Sequence, residues 1–276
     1  MQESNINKKE IYNSIIKNVS SFPALSTVVG EVCSVCQNQN STIPDLVKVI
    51  EKDPGIMIDI LRIANSPIYG FTREISSIHQ AISLFGMGTI KGFVISSVVR
   101  KNVKFNLEPY GITINSYLDT CREFNRFLIE IFKSADSKLK EVIFPASFLM
   151  ASGILMLANE AAKLENNTEF MNSIKESNSF IEIEDQYLGV NSISVTAILF
   201  EHWNFESALI NAIKGINQEE QNGFSAPLKL ALKCISLHKK YTKEQEMDAK
   251  AYIEQSGLKI DLAVFDNFIN KQNNLA

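Results

Sequence analysis

A metal-activated water that attacks a phosphate ester needs several convergent His, Asp, Glu or Cys ligands. This sequence holds three histidines, His79, His202 and His238, far apart along the chain, and no H-x-x-x-H pair. Cys33-Ser34-Val35-Cys36 is a lone C-x-x-C inside a helical pattern with no second pair, so its expected role is packing rather than redox or metal chemistry. Serines and cysteines are present, but none stands with a His and a supporting Asp or Asn in a recognisable nucleophile context. Gly86-Met87-Gly88 is too short for a phosphate loop and follows a helical pattern instead of a strand, so it reads as a turn between helices.

The segment from Asp53 to Gly70 carries the densest polar information. Asp53-Pro54 predicts a helix start: the carboxylate accepts from the free N–H groups of the first turn, and proline at the first position gives up no hydrogen bond. Ile56, Ile60, Ile63 and Ala64 form the apolar side of that helix, and Asn65-Ser66-Pro67 ends it. Asn65 and Ser66 are placed to bond the last carbonyls, and Arg62 to pair with a nearby acid or the helix end. The expected role is a helix-turn lock; contact with a ligand or partner is the alternative, with Asn65, Ser66 and Tyr69 the leading residues. Trp203 and Phe205 are read as core anchors.

The elements that must position these residues are helical almost throughout, because apolar residues recur at helical spacing and β-branched runs bounded by hairpin turns are scarce. Ser21-Phe22-Pro23 is expected to open a helix to about Asn38 that buries Leu25, Val28, Val29, Val32 and Val35 or Cys36, and Thr42 to cap the next. Ser77 caps a helix ending at Gly86, and another runs through Ile90, Phe93, Val94 and Val98. Lys101 to Gly111 reads as a linker between two lobes. Beyond it lie long helical patterns at 114–135 and 140–164, a polar stretch at 165–180, and shorter helices near 192–202, 205–217, 226–241, 244–255 and 260–270.

At 276 residues, 45% hydrophobic and 21% charged, the chain can bury a sizeable core without disulfide or metal staples. A formal net charge of −4 offers no global attraction for nucleic acid, which is not an expected partner. Residues 1–21 are polar and lack an apolar run that could serve as a signal or membrane span. Four cysteines are too few for a disulfide framework, so a cytoplasmic, membrane-free setting is expected.

The run Ile60-Leu61-Arg62-Ile63-Ala64-Asn65-Ser66, preceded by Asp53-Pro54 and followed by Tyr69-Gly70, Ile75-Ser76-Ser77-Ile78, Ala81-Ile82 and Leu84-Phe85-Gly86, resembles the HDOD family, the HD-related output domains of bacterial signal transduction. Upstream, Phe22-Pro23-Ala24-Leu25 is similar to the family's L-P-x-L-P, with Ser26 in place of the second proline. The resemblance implies an all-α, two-lobed helical bundle with an HD-domain-like second lobe. Residues 1–20 would be an N-terminal extension and 21–215 the domain, with lobes at about 21–105 and 112–215; helices of 216–276 would pack on the second lobe.

The resemblance also bears on chemistry, because the family is similar to hydrolases in which one His, a His-Asp pair and a later Asp hold metal. In this sequence the first His aligns with Asp119. Phe144-Pro145-Ala146-Ser147-Phe148-Leu149-Met150-Ala151-Ser152-Gly153 resembles F-L-A-G-L-L-H-D-I-G, which puts Met150 and Ala151 at the His-Asp pair. Leu188-Gly189-Val190-Asn191-Ser192 resembles L-G-V-D-H, with Ser192 for His; Trp203-Asn204-Phe205-Glu206 resembles W-x-x-P, with Glu206 for Pro. The double His of some relatives falls at Ile216 and Asn217, and the last Asp near Ser236 to His238, where no acid stands.

The resemblance therefore implies a signalling module without hydrolytic chemistry and with no cofactor, which acts through unidentified signalling proteins in motility, chemotaxis or surface attachment. A chain of this length is expected to take its input from a partner rather than from an attached receiver or cyclase domain. Two alternatives remain open: a divergent phosphohydrolase, which would need Asp119, Glu123, His202 and His238 to converge, and nucleotide or cyclic-dinucleotide binding without turnover, with Arg122 or Arg126 meeting the phosphates.

Overall fold

Capping chemistry sets most of the helix boundaries. The computed structural model describes residues 2–21, 26–102, 104–219, 223–238 and 242–274, with side chains described from residue 8 to 271 apart from that of Asn102, and every regular element among them is helical. The first lobe contains α2 (Thr27–Gln37), α3 (Ile43–Ile50), α4 (Pro54–Ala64) and α5 (Ile78–Asn102), preceded by α1 (Gln2–Ser20). The second contains α6 (Ile114–Ile131), α7 (Ser137–Leu149), α8 (Ile154–Ala161), α9 (Asn167–Glu176), α10 (Phe180–Leu188), α11 (Ser192–His202) and α12 (Ser207–Gly215). Three helices follow: α13 (Ser225–Cys234), α14 (Lys243–Ser256) and α15 (Leu262–Asn274). Asp53 accepts from the Ile56 N–H at 3.0 Å at the start of α4, Thr42 and Asp45 form a reciprocal capping box on α3, and Ser77 Oγ accepts from Gln80 N at 3.2 Å.

Several sequence expectations change. The helix expected to open at Ser21 begins at Thr27, and Phe22 to Leu25 lie outside the described residues. The polar N-terminus is helical, because Ile11, Ile15 and Val19 fall on one face and bury against α8, α10 and α11. The pattern at 140–164 is two helices, broken at residues 150–153 where the backbone meets α11. The polar stretch at 165–180 contains α9, anchored by buried Phe170 and Ile174, and α10 follows it. The expected linker is largely structured: α5 runs on to Asn102 after a break at Gly86 (φ 79°, ψ 158°), and Pro109 and Tyr110 are buried.

The two lobes share one hydrophobic core. Among the helices, α5 makes its largest contact with α7, and the rings of Tyr69, Phe85, Phe93 and Phe148 continue from the first lobe into the second, with centroids 4.7, 5.3 and 4.7 Å apart. Each such ring pair contributes roughly 0.5–1.5 kcal/mol beyond its buried area. Two stretches, Ile78–Lys101 and Ser137–Ala161, are long and apolar enough to cross a bilayer, but most of each is buried against protein. A buried ion pair adds to the lobe contact: Lys91 of α5, almost fully enclosed, meets Glu206 before α12, and Gln37 Nε2 donates to the same carboxylate at 2.9 Å. Helices α13 and α15 pack on α6, and α13 also packs on α7.

Candidate functional site

Within the Asp53–Gly70 segment, Asn65 is the latch. Its Nδ2 donates to Leu61 O and to Ile75 O, both at 2.9 Å, while its Oδ1 accepts from Ile75 N at 2.8 Å. One carboxamide thus closes the end of α4 and pins Ile75, which leads into α5. Ser66 is buried, and its carbonyl accepts from Tyr69 N at 3.1 Å; Pro67–Tyr69 then makes a short 3-10 turn. Gly70 ends that turn at φ 69°, a left-handed conformation that a side chain would strain.

Arg62 finds the acid expected of it, Asp59 at 3.5 Å, but the arginine is largely exposed and the contact is worth little. The stronger partners of Asp59 come from α5: Ser97 Oγ donates to it, Lys101 lies at 3.1 Å and Arg100 at 3.6 Å. Burial alone would push the Asp59 carboxyl up. The bonds from Ser97 and Lys101 and the charges of Lys101 and Arg100 outweigh it and hold the group below its ordinary value. Sequence reasoning missed Asp59, although an acid inside the Ile56, Ile60, Ile63 stripe signals a buried, partnered carboxylate.

Tyr69 carries the motif into the second lobe. Its hydroxyl donates to Asn125 Oδ1 at 3.1 Å, and Asn125, fully buried on α6, donates to Phe144 O at 2.8 Å and Ser147 Oγ at 3.1 Å on α7. Burial pushes the Tyr69 phenol far above its ordinary range, so it stays a neutral donor.

The positions aligned with the HD metal ligands do not form a donor set. Met150 and Ala151 are 0% and 1% exposed, and their side chains offer a thioether and a methyl group. Asp119 is 53% exposed and paired with Arg122 at 2.7 Å. Ser192 is buried and adjacent to the 150–153 turn: Thr196 Oγ1 donates to Met150 O at 3.0 Å or Ser192 O at 2.8 Å and accepts from Gly153 N at 2.8 Å. A Cβ on Gly153 would lie 2.1 Å from Ser192 O, so only glycine allows this approach. Among the described residues, no three His, Cys, Asp or Glu side chains are grouped to hold a metal ion. His238 Nε2 sits 2.6 Å from Tyr110 O, and Glu123 pairs with Arg126, so Asp119, Glu123, His202 and His238 are not brought together. This set does not fit a catalytic metal.

The remaining ionisable feature is Glu184 of α10, fully buried, which accepts from Tyr110 Oη and from Ser192 N, each at 2.7 Å. Burial raises its carboxyl to about 7, against the opposing pull of those bonds and with a further push from the Asp185 charge. Nothing in the local sequence marks Glu184, since its donors come from residues 110 and 192. Both arginines expected to meet phosphates are used internally; Arg126 also lies over the Phe268 ring at 4.5 Å. Burial pushes the Cys33 and Cys36 thiols to about 11 and about 12, which fits packing, and Trp203 and Phe205 are buried core residues as expected.

The family model for the HDOD domain matches residues 22–219. No curated protein sequence matches the chain. Among solved structures, a protein provisionally designated a phosphohydrolase from Shewanella amazonensis SB2B superposes with a TM-score of 0.68 at 21% identity, covering 95% of this chain and 93% of the other. A virulence factor from Campylobacter jejuni subsp. jejuni gives 0.54 at 26% identity over 95% and 99%. An HDOD domain protein of unknown function from Geobacter sulfurreducens gives 0.63 at 15% identity over 97% and 96%. At the identities of the Shewanella and Geobacter proteins, the likeness establishes fold alone.

Proposed function

This chain belongs to the HDOD family, and on that premise we propose that it is a non-catalytic module of bacterial signal transduction that works in the cytoplasm through protein–protein contact. The observation that carries the reading is the sealed apolar pair Met150 and Ala151. Where an HD hydrolase would present two metal ligands, this chain packs a thioether and a methyl group away from solvent. Asp119, matched with the family's first His, faces water and already holds Arg122.

Support for a contact role lies in the first lobe. Phe71 and Leu84 are 44% and 49% exposed, and Phe71 stacks edge-on against the Phe85 ring at 5.5 Å. Ile58 is exposed on α4 of the same lobe. Large apolar side chains left in water beside a rigid motif are what a partner surface offers. The output of such a module, by family resemblance, is control of motility, chemotaxis or surface attachment.

Two measurements test the reading. Elemental analysis of the purified protein, with bis(p-nitrophenyl) phosphate turnover in the presence of added manganese or iron, should show no stoichiometric metal and no hydrolysis above buffer. Metal together with turnover that is lost in Asp119→Asn or His238→Ala refutes it. A photo-crosslinking residue at Phe71 or Leu84 should capture a discrete partner in cells, while the same residue at exposed Met247 should not.

A further inference from the structure

A cavity of about 510 Å³ lies away from the family motif, between the α9–α10 turn, the end of α12, α13 and the start of α14. That volume falls in the range of about 300–1,000 Å³ typical of small-molecule sites. Two lysines, Lys229 and Lys233, stand one turn apart on α13 and both line it. Among the described residues neither has a carboxylate within ion-pair distance; Lys233 instead lies 5.7 Å from the Tyr252 ring. Burial and the charge of Lys233 both push the Lys229 ammonium below its ordinary value, and neither ammonium is paired directly with the three carboxylates that also line the cavity.

The rest of the lining supplies different chemistry. Ile181, Ile216 and Leu232 give an apolar surface. Asn217 spends its Nδ2 on Asn191 Oδ1 and Ser194 Oγ, both at 3.0 Å, which fixes the carboxamide and leaves its carbonyl oxygen as an oriented acceptor. The three carboxylates of the lining, Glu182, Glu244 and Asp248, are solvent-exposed at the rim, where water screens their repulsion of an incoming anion and where they can accept from hydroxyl groups.

We propose that this cavity binds a nucleoside monophosphate, with the phosphate on Lys229 and Lys233, the base against Ile181, Ile216 and Leu232, and a base or sugar donor on Asn217. A phosphate dianion matches two adjacent lysines better than a single carboxylate does, and the apolar wall distinguishes a nucleotide from free phosphate. Through Asn217 the site touches Asn191, the N-cap of α11, one residue from buried Ser192. A bound nucleotide would therefore stiffen the helix start that packs on the 150–153 turn. The proposal stands apart from the question of catalysis, since it involves neither Met150 nor Ala151.

The test is calorimetric titration of the full chain with AMP, GMP, CMP, UMP and inorganic phosphate, repeated on Lys229→Gln/Lys233→Gln and on Asn217→Ala, with circular dichroism to verify that each variant is folded. At least one nucleotide should bind with a dissociation constant below about 1 mM, and the double lysine variant should weaken it by about tenfold or more. Asn217→Ala should weaken the nucleotide while leaving inorganic phosphate unchanged. No saturable nucleotide binding, or binding that the folded lysine variant retains, overturns the site. Equal affinity for inorganic phosphate and nucleotide overturns the nucleotide assignment.

Discussion

Glu184 makes the chain's stability depend on pH in a direction opposite to that of a surface carboxylate. Its carboxyl is raised from an ordinary 4.5 to about 7 by burial, so between those values the folded chain keeps a proton that the unfolded chain has released. The stabilising contribution is fully present below pH 4.5 and is lost as pH rises through about 7. At about 1.4 kcal/mol per pH unit, the loss comes to roughly 3 kcal/mol. Glu184→Gln removes the titration but preserves the shape, with one amide oxygen to accept from Ser192 N and an amide N–H to donate to Tyr110 Oη. Urea unfolding of both proteins should therefore give nearly equal stabilities at about pH 5, with the Gln variant ahead by about 2–3 kcal/mol at about pH 8.5. Glu184→Ala supplies the contrast: it strands the Tyr110 hydroxyl and the Ser192 N–H and, relative to Glu184→Gln, should cost about 1–3 kcal/mol for each at every pH. A stability difference between wild type and Glu184→Gln that does not change with pH would refute the reasoning.

Three further outcomes are expected. Glu206→Ala leaves the buried Lys91 ammonium without its counter-charge and should destabilise by about 3–5 kcal/mol in denaturant titration, while a Lys91→Met/Glu206→Leu pair should recover most of that loss. Asn65→Ala breaks three bonds between the end of α4 and Ile75, and should cost about 3 kcal/mol, read as a lowered urea midpoint with an unchanged slope. With its thiol at about 11, Cys33 is ionised to only about one part in 1,000 at pH 8, and Cys36 less, so a disulfide reagent should label both at least about 100-fold more slowly than a free cysteine.

Much of the first lobe was legible because its signals are local. Asp53-Pro54 and Asn65-Ser66-Pro67 start and stop α4 within a few residues of chain, and Ser77 and Gly86 do the same for the helix that follows. The residues that tie distant segments together were not legible, since Asn125, which joins the lobes, and Glu184 and Thr196, which fasten segments beyond the first lobe, have no sequence neighbour that predicts those bonds. Helix α1 was missed for a different reason: the four-residue spacing of Ile11, Ile15 and Val19 is present, but polar residues surround it and only packing on α8, α10 and α11 reveals the stripe. The break between α7 and α8 is announced only by Ser152-Gly153, a weak turn signal inside an apolar run; the close contact of Gly153 with Ser192 fixes it.

The burial of Met150 and Ala151 sets what single substitutions there would cost. A carboxylate entering at residue 151 alone would sit in an apolar interior without a counter-ion, at a cost of several kcal/mol, against a net folding stability of only about 5–15 kcal/mol. A histidine at residue 150 alone would bring ring nitrogens into the same sealed space with no metal to meet them. Each single substitution toward a ligand pair is thus opposed before a second can reward it, so the packing itself guards this place in the core against a metal.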